Sequence, residues 1–165
     1  MRKDLDNYLV QKYPKIFIDR YASMKQSGMG FGFQCRDGWF WLIENLCCNI
    51  QSYIDWNQQA NPVKQIVATT IKEKFGRLSF YYDGGDAVIT GMVRFAEHLS
   101  YHICEECGDT HKVGKTSGWI TILCEWCSKK DEYKNRPWEL LPESKFDDAS
   151  KEVRKIKLDK LSEGI

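Results

Sequence analysis

No stretch of this sequence stays apolar for the roughly 18 residues that a membrane-spanning helix needs, so no membrane contact is expected. The opening MRKDLDNYLVQKYPKIF has neither the apolar run nor the small-residue cleavage pattern of a signal peptide. The expectation is a cytoplasmic protein, held where thiols stay reduced. Basic excess is missing as well: 24 Lys and Arg face 23 Asp and Glu, a formal net charge of +1. Nucleic-acid binders gain affinity by neutralising phosphates, so this balance weighs against such a partner while leaving room for a local basic patch. There is no low-complexity run, no internal repeat, no phosphate-cradling glycine loop and no HExxH frame.

What is present is enough for a core. Of 165 residues, 42% are apolar and 13% aromatic, which excludes wholesale disorder and fits one domain with a small appendage. A short helix is predicted over about Lys3 to Gln11, with Leu5, Tyr8 and Leu9 on one face. Ser27 to Asp37 holds three glycines among aromatics and reads as a loop or irregular extended stretch. Asp37 is placed to cap a helix of about Gly38 to Trp56, whose stripe of Phe40, Ile43, Cys47, Ile50 and Ile54 is spaced for burial. Val67 to Asp83 reads as a β-hairpin reversing at Phe75-Gly76-Arg77. Asp86 then caps a helix of about Ala87 to Tyr101, with Val88, Met92, Phe95 or Ala96, and Leu99 as its buried face.

Seven cysteines in a reducing compartment read as metal ligands plus core residues, and an odd count fits a closed disulfide framework poorly. Cys104-Glu-Glu-Cys107 and Cys124-Glu-Trp-Cys127 are separated by sixteen residues, within the spacing of four-cysteine zinc sites. Two residues between cysteines let both thiolates of a tight turn face one ion. Two such knuckles complete a tetrahedron with no open position, so one structural zinc ion is expected. The residues around it are slightly acidic, which favours a structural or protein-contact module over a nucleic-acid one.

Other residues carry weaker signals. His98 and His102 are spaced for a shared metal, but no third ligand accompanies them, and His111 sits in a polar loop of the module. Cys47 lies on the apolar stripe. Cys35 would be a nucleophile only if a histidine approached it in space. Lys72, Lys74, Arg77 and Tyr81 would form a cationic, aromatic ligand surface if they share a sheet face, with Asp37 and Trp39 as further candidate contacts. The plainer reading of the same residues is a core beside a lysine-protected strand edge.

Several of these motifs carry a resemblance. Lys12 to Phe17 (KYPKIF), Gly32 to Trp39 (GFQCRDGW), Ile71 to Gly76 (IKEKFG), Phe80 to Asp86 (FYYDGGD) and the two knuckles resemble a group of small phage- and prophage-encoded zinc-knuckle proteins, over about residues 10–127. The resemblance implies a host-interaction or anti-defence role, in the host cytosol, and supplies no reaction.

The expected architecture is α+β, with helices packed on a small antiparallel sheet and a four-cysteine zinc-ribbon-like module. Residues 1–102 would form the core domain, 103–130 the zinc module, and 131–165 a docking segment and C-terminal helix. The expected function is a non-enzymatic accessory protein engaging a host protein or other macromolecule, or a signalling ligand. Nucleotide second-messenger sequestration and nucleic-acid binding are the alternatives, and an enzyme using Cys35 or a histidine-bound metal is a further one.

Overall fold

The computed structural model describes residues 1–142; the helix expected over about 147–161 lies outside them. Along the chain run α1 (Lys3–Lys12), β1 (Phe33–Gln34), α2 (Phe40–Asn57), β2 (Val67–Lys74), β3 (Arg77–Asp83), α3 (Ala87–Ser100), β4 (Val113–Thr116), β5 (Ile122–Cys124), α4 (Glu125–Ser128) and β6 (Trp138–Leu140). They make an α+β fold with two three-stranded sheets, ordered β1-β2-β3 and β5-β4-β6.

The stripe on α2 is buried as its spacing demands: Phe40, Ile43, Cys47, Ile50 and Ile54 all lie in the main core. Fully burying each of the isoleucines contributes about 1.5–3 kcal/mol. The helix does not start as the sequence suggests, however. A short 3-10 turn, Asp37–Trp39, precedes it, and Asp37 makes no capping bond. Its carboxylate is taken by Arg2, accepting from the backbone N–H at 2.7 Å and pairing with Nε at 2.8 Å.

The hairpin forms where the β-branched and alternating residues place it. Its two-residue turn, Phe75-Gly76, has φ of 54° and 77°, the handedness that suits the twist of paired strands. The stretch before α2 is less irregular than its glycines imply. Within it, β1 pairs in parallel with β2, Phe33 opposite Ile71 and Gln34 opposite Lys72, so the first sheet is mixed.

On α3 the cap is as expected, with Asp86 Oδ1 accepting from the N–H groups of Val88 and Ile89 at 3.0 Å. The buried face is rotated from the sequence expectation. Ile89, Val93, Ala96 and Ser100 are buried, whereas Val88 and Phe95 are exposed. The reason is that α3 lies along the outer strand of the first sheet. Ser100 Oγ accepts the Leu78 N–H and Glu97 Oε1 accepts the Phe80 N–H, both at 2.8 Å. Polar side chains thus occupy positions that a purely apolar pattern would miss.

Two charged contacts tie the N-terminal part to this core. Arg20 grips Asp6 through two bonds of 2.8 and 2.7 Å. Glu44, almost buried on α2, accepts from Lys12 Nζ at 2.6 Å and Tyr13 OH at 2.8 Å. The Lys12 bond holds the Glu44 carboxyl below its ordinary pKa against the opposing effect of burial, and the Tyr13 hydroxyl adds to it. A depressed folded-state pKa contributes stability that is present above the unfolded value and lost as pH falls through the folded one. Glu44→Gln is therefore expected to lower Tm at neutral pH. The gap to the parent should narrow once pH drops below about 4.3, the free glutamate value. Melting curves of both proteins across that range check it; a constant gap would contradict it.

Candidate metal centre

The first knuckle is a turn closed by backbone bonds. Cys104 N–H donates to Asp109 O and Gly108 N–H to Cys104 O, both at 2.8 Å. The second is a strand end passing into a helix. β5 delivers Cys124, which starts α4, and one turn later the Cys127 N–H donates to the Cys124 sulfur at 3.4 Å. The knuckles face each other because the Glu105 N–H donates to Ile122 O at 2.8 Å, joining the first turn to β5.

All four Sγ atoms lie within 4.8 Å of one another, the one such group of three or more ligating side chains among the described residues. Cys107 and Cys124 have their sulfurs 3.7 Å apart. A tetrahedral ion with thiolate bonds of about 2.3 Å requires edges of about 3.8 Å. The cysteines are thus positioned to hold one metal ion. Cys104, Cys124 and Cys127 are buried, and Cys107 reaches the surface.

Charges and rings close around the sulfurs. Glu106 accepts from Lys130 Nζ at 3.2 Å and from Tyr133 OH at 3.2 Å, and pairs with Arg36 at 3.2 Å. Arg36 also pairs with Glu132. The buried Tyr133 packs with Cys104, Leu123, Cys124 and Cys127, beside Trp138, whose Nε1 donates to Leu123 O at 3.0 Å. Burial pushes the Glu105 carboxyl up to about 7. That residue accepts the Arg36 N–H at 3.2 Å.

Tyr133 and Trp138 belong to the stretch expected to be a docking segment. It supplies β6, which pairs antiparallel with β4, Thr116 opposite Trp138. Gly118-Trp-Ile-Thr-Ile-Leu123 has the β-forming residues of a strand, yet only its end is one. β5 begins only at Ile122, because Gly118 has positive φ and the preceding residues turn.

The module is seated on the core at two glycines. Gly38 N–H donates to Glu105 O at 2.8 Å, and a Cβ there would stand 2.2 Å from Cys104 O and 2.5 Å from Gly108 N. Gly76, at the hairpin turn, lies against Ile120 and Ile122; a Cβ would be 2.8 Å from Ile120 Cγ2. Trp39 completes the seam, fully buried and donating from Nε1 to Ile103 O at 3.0 Å.

The other sequence candidates separate. Lys72, Lys74, Arg77 and Tyr81 do share one sheet face, since Lys74 pairs with Arg77, Lys72 with Ser79 and Thr70 with Tyr81. Trp39 and Asp37 do not join them: the first is buried in the seam, and the second is bound to Arg2. The Cys35 thiol is buried, and its burial raises it to about 12, so it is kept protonated rather than readied as a nucleophile. Cys47 is fully buried in the core. His98 and His102 stack edge to face with ring centroids 5.7 Å apart. His111 is exposed, outside the four-sulfur group. No protein-family model, curated protein or solved structure matches this chain. No helix among the described residues is long and apolar enough to cross a membrane.

Proposed function

We propose that this protein is a non-enzymatic binding protein whose recognition surfaces are made rigid by one structural zinc ion. The reading is carried by the four sulfurs converging at tetrahedral spacing. Thiolate-only tetrahedral sets select zinc or iron among the common metals, and zinc is the usual structural choice. Four protein ligands leave no position for water or substrate, so the ion supplies folding energy, about 10–16 kcal/mol for such sites, rather than chemistry.

The support for a binding role is on the surface. Trp41, Trp56, Trp119 and Trp126 are each more than two-thirds exposed. Tryptophan is enriched at the energetic centres of interfaces. Engagement of a host macromolecule is the partner class that the resemblance to phage-encoded proteins implies.

Elemental analysis of protein purified without added metal is expected to give one zinc per chain and negligible iron. Removal by a strong chelator should abolish the folded signal of the module. Absence of bound metal, or an iron–thiolate absorption band with stoichiometric iron, would reject the zinc assignment.

A further inference from the structure

A groove of about 490 Å³ opens between the tip of the β2–β3 hairpin and α3. Its walls carry Lys74 and Arg77 from the sheet, and Arg94 and His98 from successive turns of α3. Arg94, His98, Lys74 and Arg77 are all exposed. None of the three basic side chains has an ion-pair partner among the described residues, whereas Lys12, Arg20, Arg36 and Lys130 elsewhere are each matched to a carboxylate. The one acid on the groove wall, Glu97, is held by the Phe80 N–H at 2.8 Å. Three cations facing that single carboxylate leave the groove with net positive charge, in a space of small-ligand size.

Phe75 marks the same place. It is 76% exposed and sits at φ 54°, in a turn position that ordinarily takes Asn, Asp or Gly. A bulky aromatic there is disfavoured by backbone and by exposure alike, which points to a use for its ring. Lys74 Nζ lies 5.7 Å from that ring's centroid, and the Arg77 guanidinium lies 4.8 Å from that of Tyr101.

We propose that this groove binds a nucleotide, with Lys74, Arg77 and Arg94 holding its phosphates and Phe75 covering its base. Cations beside an exposed ring match an anionic group joined to a flat aromatic one. A polymeric nucleic acid fits less well, because the chain as a whole is near electroneutral. Lys72 and Tyr81 stay outside the groove, stacked on each other at 5.8 Å. The turn is held in place by Gly76 against Ile120 and Ile122 of the metal module, so the site's geometry depends on the zinc reading above.

The test is calorimetric titration of the full chain, with zinc content measured on the same sample. The probes are inorganic pyrophosphate, adenosine diphosphate, guanosine diphosphate and a short oligouridylate. At least one nucleoside diphosphate should bind. Arg77→Gln and Arg94→Gln should each weaken it by about tenfold, the loss of one charge-assisted contact. Phe75→Asn should weaken the nucleoside diphosphate while leaving pyrophosphate affinity unchanged, and Lys25→Gln, at an exposed residue that does not line the groove, should change nothing. Zinc-bearing protein that binds neither diphosphate, affinities untouched by the arginine variants, or preference for the oligouridylate would each overturn the proposal. Nucleotide binding by a sample that contains no zinc would instead overturn only the metal assignment.

Discussion

Cys124→Ser is expected to abolish stoichiometric zinc binding and to melt the metal module while most of the α+β core stays folded. A serine hydroxyl does not ionise at neutral pH, so the variant offers three thiolates where a closed tetrahedron needs four. The module has little else to hold it. Its buried apolar clusters are small, Leu123 and Tyr133 with the partly buried Trp138 beside the sulfurs and Val113, Ile122 and Leu141 with the partly buried Tyr101 and Ile120 behind them, too few to offset the entropy of ordering some forty residues (about 1–2 kcal/mol of backbone entropy each). The main core is different, because its cluster runs from Leu9 to Ala96 without using any of the four ligands. Far-ultraviolet circular dichroism should therefore keep its helical signal, while the environment of Trp138 and the zinc content change together. A variant that kept one zinc per chain and its full melting profile would refute the role assigned to the sulfurs.

Gly38→Ala is expected to be nearly as damaging, for a reason unconnected with metal ligation. The added Cβ would meet Cys104 O at 2.2 Å, Gly108 N at 2.5 Å and Glu105 O at 2.6 Å. All three are backbone atoms of the first knuckle, so no flexible side chain can move aside. Relief requires separating the module from the start of α2, with loss of the Gly38-to-Glu105 hydrogen bond and the Trp39 contact. A cost near 3 kcal/mol, at the upper end for overpacking, is expected. At about 2–4 °C per kcal/mol for a chain of this size, Tm should fall by roughly 6–12 °C. Zinc stoichiometry should remain one, since the knuckles themselves are intact. An unchanged Tm would show that the seam yields more easily than its backbone contacts suggest.

The features legible in the sequence were those encoded locally. Paired cysteines two residues apart declare their geometry within a single turn, and the three-and-four spacing on α2 or the alternation in β3 declares a face. Hence the four ligands, the α2 stripe, the hairpin and the Asp86 cap could be read directly. The misplaced features depend on residues distant in the chain. Asp37 has a capping residue's chemistry, yet Arg2 claims its carboxylate. The face of α3 is set by the need of β3 for acceptors at Ser100 and Glu97, which apolar periodicity does not register. A two-residue strand such as β1 is too short for any period to show. Tyr133 and Trp138 close the metal site from beyond the second knuckle, where no spacing in the sequence marks them.

The candidate ligand residues divide along the same line. That Lys72, Lys74, Arg77 and Tyr81 share a face follows from strand alternation once the turn is placed. The contribution of Arg94 and His98 does not, because it needs α3 folded back beside β3.

The covering of β3 by two side chains of α3 leaves the guarding of a strand edge to a helix end. An outer strand normally stays inert by being short, bulged or charged, but this one is seven residues long and is silenced at two amides by Glu97 and Ser100. Helix ends are among the first places to fray. Opening of the last turn of α3 would bare those two amides to the strand of another copy, so the residues guarding this edge are ones that form no part of any sheet.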